Sequence, residues 1–504
     1  MHQGAPARRS PCAKLPGVSD ALSSARTGRA QPWGGIGPKA LTAADVVAGT
    51  NGRLIRDSHR PIHGAAVDSR VLRPGELFVA LPGERTDGHR FLREAVMAGA
   101  AGLLVAAEPD PATLASVGDV TIVVVEDPLV ALHRLAAAWR AQFRPLVVGV
   151  TGSIAKTSTK EAVAAVLSMS GRTLRSAGNQ NNEIGLPLTL LRLGPDDVNA
   201  VLEMGMYTGG EIAELAALAK PRIGVVTAVL GVHLSRIGSI EAIENAKAEL
   251  VEALPDDGVA ILNADDARVR RMAGRTAARS ITYGFAADAD IGAERVRSAG
   301  TAGMRFTLRL PGDGGDRPVR LAASIPALGR LSVHNALAGA AAGVAAGMTP
   351  KTILAGLARG WSAPHRVELV PAGDFTILDD SYNAAPASTI AALDLLAGLP
   401  GRHVAVLGEM LELGDAADAA HREVGRAAAG LLSLLVSVGP GAAGIAAGAL
   451  EAGMEPGAVI EVEDRTAAAD AIRERARAGD VVLVKASRGV ELDRLVDELR
   501  TDRS

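Results

Sequence analysis

The stretch GVTGSIAKTSTKE, residues 149–161, decides the reading of this chain. It follows a β-branched apolar run, PLVVGVTGS (145–153), and opens a helical pattern. A phosphate-binding loop reads Gly, four residues, Gly, Lys, then Ser or Thr. Gly149 and Gly152 are present, followed by Ala155 in place of the last glycine, then Lys156 and Thr157. Such a loop works because successive backbone N–H groups at a helix start, here Gly152 to Ser158 with Ser153 between, point at phosphate oxygens. Lys156 adds a point charge for the terminal phosphates, and the Thr157 hydroxyl suits Mg2+. Ala155 keeps its N–H, but its Cβ costs about 1–2 kcal/mol if the turn demands a positive φ. The bland alternative is a glycine-rich turn with no ligand; a strand before it and a helix after it favour nucleotide binding.

Outward from the loop, short apolar runs alternate with helical stretches. ELFVAL (76–81), AGLLVAA (101–107), VTIVVVED (120–127), VNAVLEMG (198–205) and PRIGVVTAV (221–229) have strand character. LTAADVVAGT (41–50), with Thr42 as N-cap, PLVALHRLAAAWRAQF (128–143) and the stretches 209–219 and 239–254 have helical character. Alternation of this kind predicts βαβ units and a mostly parallel α/β sheet. GLARGWSAPHR (356–366) marks a second boundary. Beyond it FTILDD (375–380), HVAVLGE (403–409), LLSLLVSVG (431–439) and GDVVLVKAS (479–487) begin another alternating set. The expectation is three α/β domains over 40–145, 146–362 and 363–504, behind a disordered extension over 1–39.

Composition removes several classes of function. The 504 residues carry 53 basic and 56 acidic side chains, a net charge of −3, so no global field draws nucleic acid or an anionic membrane. Aromatics are 2%, too few for base-stacking platforms. The one cysteine, Cys12, excludes an intrachain disulfide framework. Basic residues in 1–39 precede no apolar core segment, so a secretory signal is not expected and a cytoplasmic monomer is. Ala427 to Leu450 is uncharged, but Gly439-Pro440-Gly441 divides it into a strand and a helix rather than a membrane span. Eight of the 53 basic residues are lysines, so a lysine inside a motif is informative.

Further strings stand in a recognisable order around the loop. They are DSRVLRPGELFVALPGERTDGHRF (68–91), NQNNEIGLPLTLL (179–191), VLEMGMYTGGEI (201–212), GVHLSRIGSIEAIENAKAEL (231–250) and LNADD (262–266). VHNALAG (333–339), LDDSYNAAP (378–386), VLGEMLELG (406–414) with His421, and VKASRG (484–489) complete the set. Together they resemble the Mur ligase family, most closely its MurF branch. The resemblance implies a UDP-substrate-binding first domain, a central ATP-binding domain and a C-terminal Rossmann-like domain. It implies ATP-dependent ligation of D-alanyl-D-alanine to UDP-N-acetylmuramoyl-tripeptide through an acyl phosphate, in cell-wall precursor synthesis, with ATP and Mg2+. Lys156 would act on the phosphates; Glu203, His233 and a carbamylated Lys247 would join Thr157 around magnesium. Asn335 would read adenine, and Arg366 and Asp380 would contact phosphate and ribose. Ser69, Arg70 and His89 would meet the UDP group, Asn181 and Asn182 the sugar-peptide, and Asn383, Lys485, Ser487 and Arg488 the substrate.

Five positions depart from the family pattern. Ala155 and Ala486 replace glycine, Ala228 and Ala385 replace asparagine, and His365 stands where the branch usually has glycine. Two alternatives therefore stay open: an amide ligase of secondary metabolism with another acceptor, and a nucleotide-binding paralogue with weak catalysis. The Asp379-Asp380 pair could also be a helix cap or a two-acid metal site.

Overall fold

The computed structural model describes residues 39–83, 86–231, 238–312 and 317–501. Two compact units form. One holds the described residues up to Ala141 with Leu190–Gly194; the other holds Gln142–Thr189 and Pro195 onward. The expected extension lies outside the described residues except for Lys39, whose ammonium sits 5.7 Å from the Trp139 ring centroid.

In the first unit, β1 (Arg53–Arg56), β2 (Ala65–Ala66), β3 (Leu77–Val79), β4 (Gly102–Val105) and β5 (Thr121–Val124) form one sheet, ordered β1-β5-β4-β3-β2. Only β1 runs antiparallel to its neighbour. Phe78, Leu92, Leu103, Val105 and Ile122 fill one face. Thr42 caps the helix Ala43–Thr50 through a reciprocal pair with Asp45, as its position in LTAAD predicts.

The central sheet follows. Its strands are β6 (Leu146–Thr151), β7 (Thr173–Arg175), β8 (Asn199–Glu203), β9 (Ile223–Val226), β10 (Val259–Asn263), β11 (Arg279–Gly284), β12 (Ile291–Ser298), β13 (Met304–Leu310) and β14 (Val319–Ile325). The order is β14-β13-β12-β11-β10-β9-β6-β8-β7. The strands from β7 to β12 are parallel, and β13 and β14 extend them antiparallel. Buried on both faces, β8, β9 and β10 are near-continuous apolar runs. One face carries the helices Lys156–Leu167 and Gly329–Ala345, whose Val163, Val166, Val333 and Leu337 share a core with Val148 and Val225. The other carries Ile240–Glu252, packed through Ile243 and Val251. The chain leaves β6 to build β7 and β8 on one side and then β9 on the other. That reversal opens a crevice at the carboxyl ends of β6, β8 and β9, where open α/β sheets bind ligands.

The last sheet contains β15 (Glu368–Ala372), β16 (Phe375–Asp379), β17 (His403–Gly408), β18 (Leu434–Val438), β19 (Val459–Val462) and β20 (Val481–Lys485), ordered β15-β16-β20-β17-β18-β19. All pairs are parallel except the β15–β16 hairpin, and separate apolar cores cover the two faces. The uncharged run divides as expected into β18 and the helix Ala443–Glu451, and no described helix is long and apolar enough to cross a membrane.

Candidate active site

The loop between β6 and Lys156–Leu167 is built by three cross-links to the segment after β9. Ser153 N–H donates to the Ala228 carbonyl at 2.8 Å, the Ser153 hydroxyl joins Leu230, and the Thr227 hydroxyl donates to the Ile154 carbonyl at 2.6 Å. Gly152 has no alternative here: its φ is 146°, and a Cβ would lie 1.9 Å from Thr227 Oγ1. Ala228, where the family pattern has asparagine, contributes through its backbone carbonyl.

Ala155 occupies the left-handed region, φ 61° and ψ 6°, immediately before the helix. The conditional cost read from the sequence is therefore incurred, at about 1–2 kcal/mol. Glycine would remove that strain but add unfolded-state entropy of about 0.4–1 kcal/mol. Ala155→Gly is thus expected to leave urea-unfolding stability unchanged or to raise it by up to about 1 kcal/mol, and β-branched Ala155→Val to lower it by about 1 kcal/mol or more. The reverse ranking would remove the strain assignment.

Lys156 opens the helix, half-buried, and its ammonium donates to the Gly152 carbonyl at 2.8 Å. Burial pushes its pKa down, with nearby Arg366 acting the same way and Glu203 opposing. Glu203 ends β8 and is 2% exposed. Its Oε1 accepts from Asn181 Nδ2 at 2.8 Å, while its buried Oε2 has no hydrogen-bond partner. An orphaned carboxylate oxygen at a strand end has the chemistry of a hard-cation ligand, and Thr157, a second oxygen donor, is also buried. Lys247, on Ile240–Glu252, is 4% exposed, and burial followed by the Lys156 charge drives its pKa well below the lysine range. His233 lies outside the described residues. Among the described residues no cluster of three or more His, Cys, Asp or Glu forms a ready-made metal site.

Arg366 joins this centre from the segment before β15. Its guanidinium stacks 4.1 Å over the Tyr382 ring, and that of Arg488 lies 5.2 Å from the same ring centroid. Tyr382 lies within the fields of Arg366, Glu203 and Arg488. Lys156 thus lies within the fields of Glu203 and Arg366, and Lys247 within that of Lys156, an arrangement that favours a polyanion. Tyr382 is the residue the sequence reading passed over. A tyrosine in the DDSYN loop of a chain with three tyrosines was the available signal.

Other expected site residues are engaged inside the fold. Asn335 is buried, and its Oδ1 accepts from Thr159 at 3.0 Å, joining two helices. Asp380 and Lys485, expected to face ribose and substrate, pair with each other at 2.5 Å, and the Lys485 ammonium also donates to the Asn383 carbonyl. Of the Asp379-Asp380 pair, Asp379 is held by His365 and Ser381 and Asp380 by Lys485. The Ser487 hydroxyl is buried and accepts from Leu411 N–H; Arg488 pairs with Asp493 at 3.0 Å. Asn383 Oδ1 accepts from Ala384 N–H. His421 is buried, its Nε2 accepting from Met410 N–H.

Asn181, expected at the sugar-peptide, donates to Glu203, and Asn182 Oδ1 accepts from Gly185 N–H at the start of a short helix. In the first unit, His89 is a tether: Nε2 accepts from Ala106 N–H at 2.8 Å and Nδ1 faces Asp87 at 2.6 Å. Arg70 is exposed but bound in a fork to Asp68, whose carboxyl it holds below the usual range against burial. Ser69 lies beside them, half-buried.

Comparison with known proteins agrees with this geometry. The Mur ligase middle domain matches residues 150–343, the Mur ligase glutamate ligase domain 365–488, and the Mur ligase family catalytic domain 61–140. The UDP-N-acetylmuramoyl-tripeptide–D-alanyl-D-alanine ligase of Bacillus subtilis is 36% identical over 443 residues, 87% of this chain and 93% of that one. A crystal structure of MurF from Acinetobacter baumannii superposes with a TM-score of 0.78 at 28% identity, covering 92% of this chain and 99% of that one. A MurF ligase of Thermotoga maritima in complex with ADP superposes with a TM-score of 0.71 at 26% identity, covering 87% and 97%. With a phosphate loop at the switch point of its central sheet and relatives matched along most of their length, the chain belongs to the Mur ligase family, among its MurF-type ligases.

Proposed function

We propose that this ligase joins D-alanyl-D-alanine to UDP-N-acetylmuramoyl-tripeptide at the expense of ATP. The observation that carries the reading is the cationic centre around Glu203, set at the strand ends and fed by a phosphate loop. In the reaction the tripeptide carboxylate oxygen attacks the γ-phosphorus, and the bond from that phosphorus to the β-phosphate oxygen breaks. ADP leaves and an acyl phosphate forms. The neutral amine of the dipeptide then attacks the acyl carbon, the carbon–oxygen bond to phosphate breaks, and the amine gives up its proton.

Catalysis of this kind is positioning plus charge neutralisation. The loop N–H groups and Lys156 hold the β- and γ-phosphates. Arg366, stacked on Tyr382, supplies a second cation from the C-terminal segment. Mg2+, when bound, neutralises phosphate charge, and Glu203 Oε2, the Thr157 hydroxyl, His233 and Lys247 are the groups that would hold it. Lys247 fits this as a carbamate, since burial and Lys156 favour the unprotonated amine that reacts with CO2.

Two measurements test the reading. Phosphate release is expected to require both the UDP-linked tripeptide and D-Ala-D-Ala; turnover with another amine instead would assign a different acceptor, and binding without turnover a paralogue. Lys247→Arg, which cannot be carbamylated, is expected to lose about 100-fold or more in kcat. Wild-type activity should fall in CO2-free buffer and return with bicarbonate. Indifference of both enzymes to bicarbonate would remove the carbamate.

A further inference from the structure

His365 and Val367 both have left-handed backbone, with φ of 60° and 54°, on either side of Arg366. Neither is glycine, and for a β-branched residue this conformation is a genuine outlier. Such strain persists where the surroundings over-determine it, commonly at sites that act on ligands. The surroundings here are specific. His365 Nδ1 lies 2.8 Å from Asp379 Oδ2, and the His365 carbonyl accepts from Tyr382 N–H at 3.1 Å. Asp379, 2% exposed, is itself held at Oδ1 by the Ser381 N–H and hydroxyl. The same short segment therefore fixes both members of the Arg366–Tyr382 stack, one through its neighbour and one through its own amide.

Asp379 raises the His365 pKa against burial, with Asp493 and Asp497 assisting; Glu368, on β15, also faces this pair. Glycine adopts a φ of 60° without any partner. Here the conformation is maintained by a side chain instead.

We propose that His365 is a positioning residue, its bond to Asp379 holding the left-handed turn that stacks Arg366 on Tyr382 and keeps that cation at the phosphate site. The proposal rests on the ATP-dependent reading above and adds to it a determinant of nucleotide affinity.

The test is a mutant cycle read by Mg-ATP binding calorimetry and by steady-state phosphate release. His365→Gly keeps the backbone conformation accessible but frees the turn. It is expected to raise the Kd and KM for ATP roughly tenfold, with the KM for the amine unchanged. His365→Asn places an amide nitrogen where Nδ1 was and tolerates positive φ, so it is expected to restore affinity to within about threefold of wild type. In an Arg366→Ala background, His365→Gly is expected to cost nothing further, because its effect passes through that guanidinium. Equal costs in both backgrounds, a wild-type ATP Kd for His365→Gly, or an Asn variant as impaired as the Gly variant would each overturn the proposal. Absence of phosphate release by the wild type with every acceptor would count against the ligase reading alone, since the binding cycle still reports on His365.

Discussion

Lys156→Met is expected to abolish turnover while leaving the fold intact. Methionine keeps the length and apolar stem of lysine, so packing at the start of Lys156–Leu167 is little disturbed. What goes is the ammonium that donates to the Gly152 carbonyl and faces the phosphates. Removing one preorganised charge from a site where charge migrates costs about 100- to 1,000-fold in kcat. Stability should change by no more than about 1 kcal/mol, the worth of an ordinary hydrogen bond, because a desolvated and mutually repelled cation is removed with it.

The pH dependence gives a second signature. The Lys156 pKa is depressed in the folded chain, so between that value and the ordinary lysine range the unfolded chain holds the proton that the folded chain sheds. Wild-type stability therefore gains with rising pH across this window, and the variant should lose part of the gain. Phosphate-release kinetics and urea melts at several pH values measure both effects. A variant keeping more than a tenth of wild-type kcat would place the phosphates elsewhere.

Glu203→Gln should be nearly as damaging, for a different reason. The amide preserves size and an oxygen for Asn181, yet it replaces the orphaned Oε2 by a donor and removes the negative charge that faces Lys156. Turnover is expected to drop about 100- to 1,000-fold, and the magnesium concentration for half-maximal activity to rise at least tenfold. Metal-free ATP, by contrast, should bind the variant at least as tightly as wild type, since an anion has been taken from an anion site. The opposite signs for magnesium and for metal-free nucleotide separate a metal ligand from a merely structural acid. If both weaken together, Glu203 shapes the pocket and does not hold the cation.

Much of this centre was readable from local patterns. The loop at 149–161, the Thr42 cap, the strand ending in Glu203 and the lysine within a helical run all depend on residues near each other in the chain. Ala155 shows the limit of such reading. Its spacing was plain, and its strain was conditional until the backbone angle was known. The family resemblance implied ligand contacts for His89, Asn335 and Lys485. In the fold they bond to Ala106, Thr159 and Asp380, residues 17, 176 and 105 positions away. No periodicity encodes those partners.

The amino-acid sequence alone determined the alternating α/β architecture and the phosphate loop, because strand burial, helix capping and loop conformation are set over a few residues. Only the tertiary structure decided which polar side chains remain available. That choice depends on strand order: β20 returns between β16 and β17 and brings Lys485 to Asp380, while β8 beside β6 leaves one Glu203 oxygen buried and unpaired. A buried charge takes the partner that folding places next to it, and in this chain that partner is most often distant in sequence.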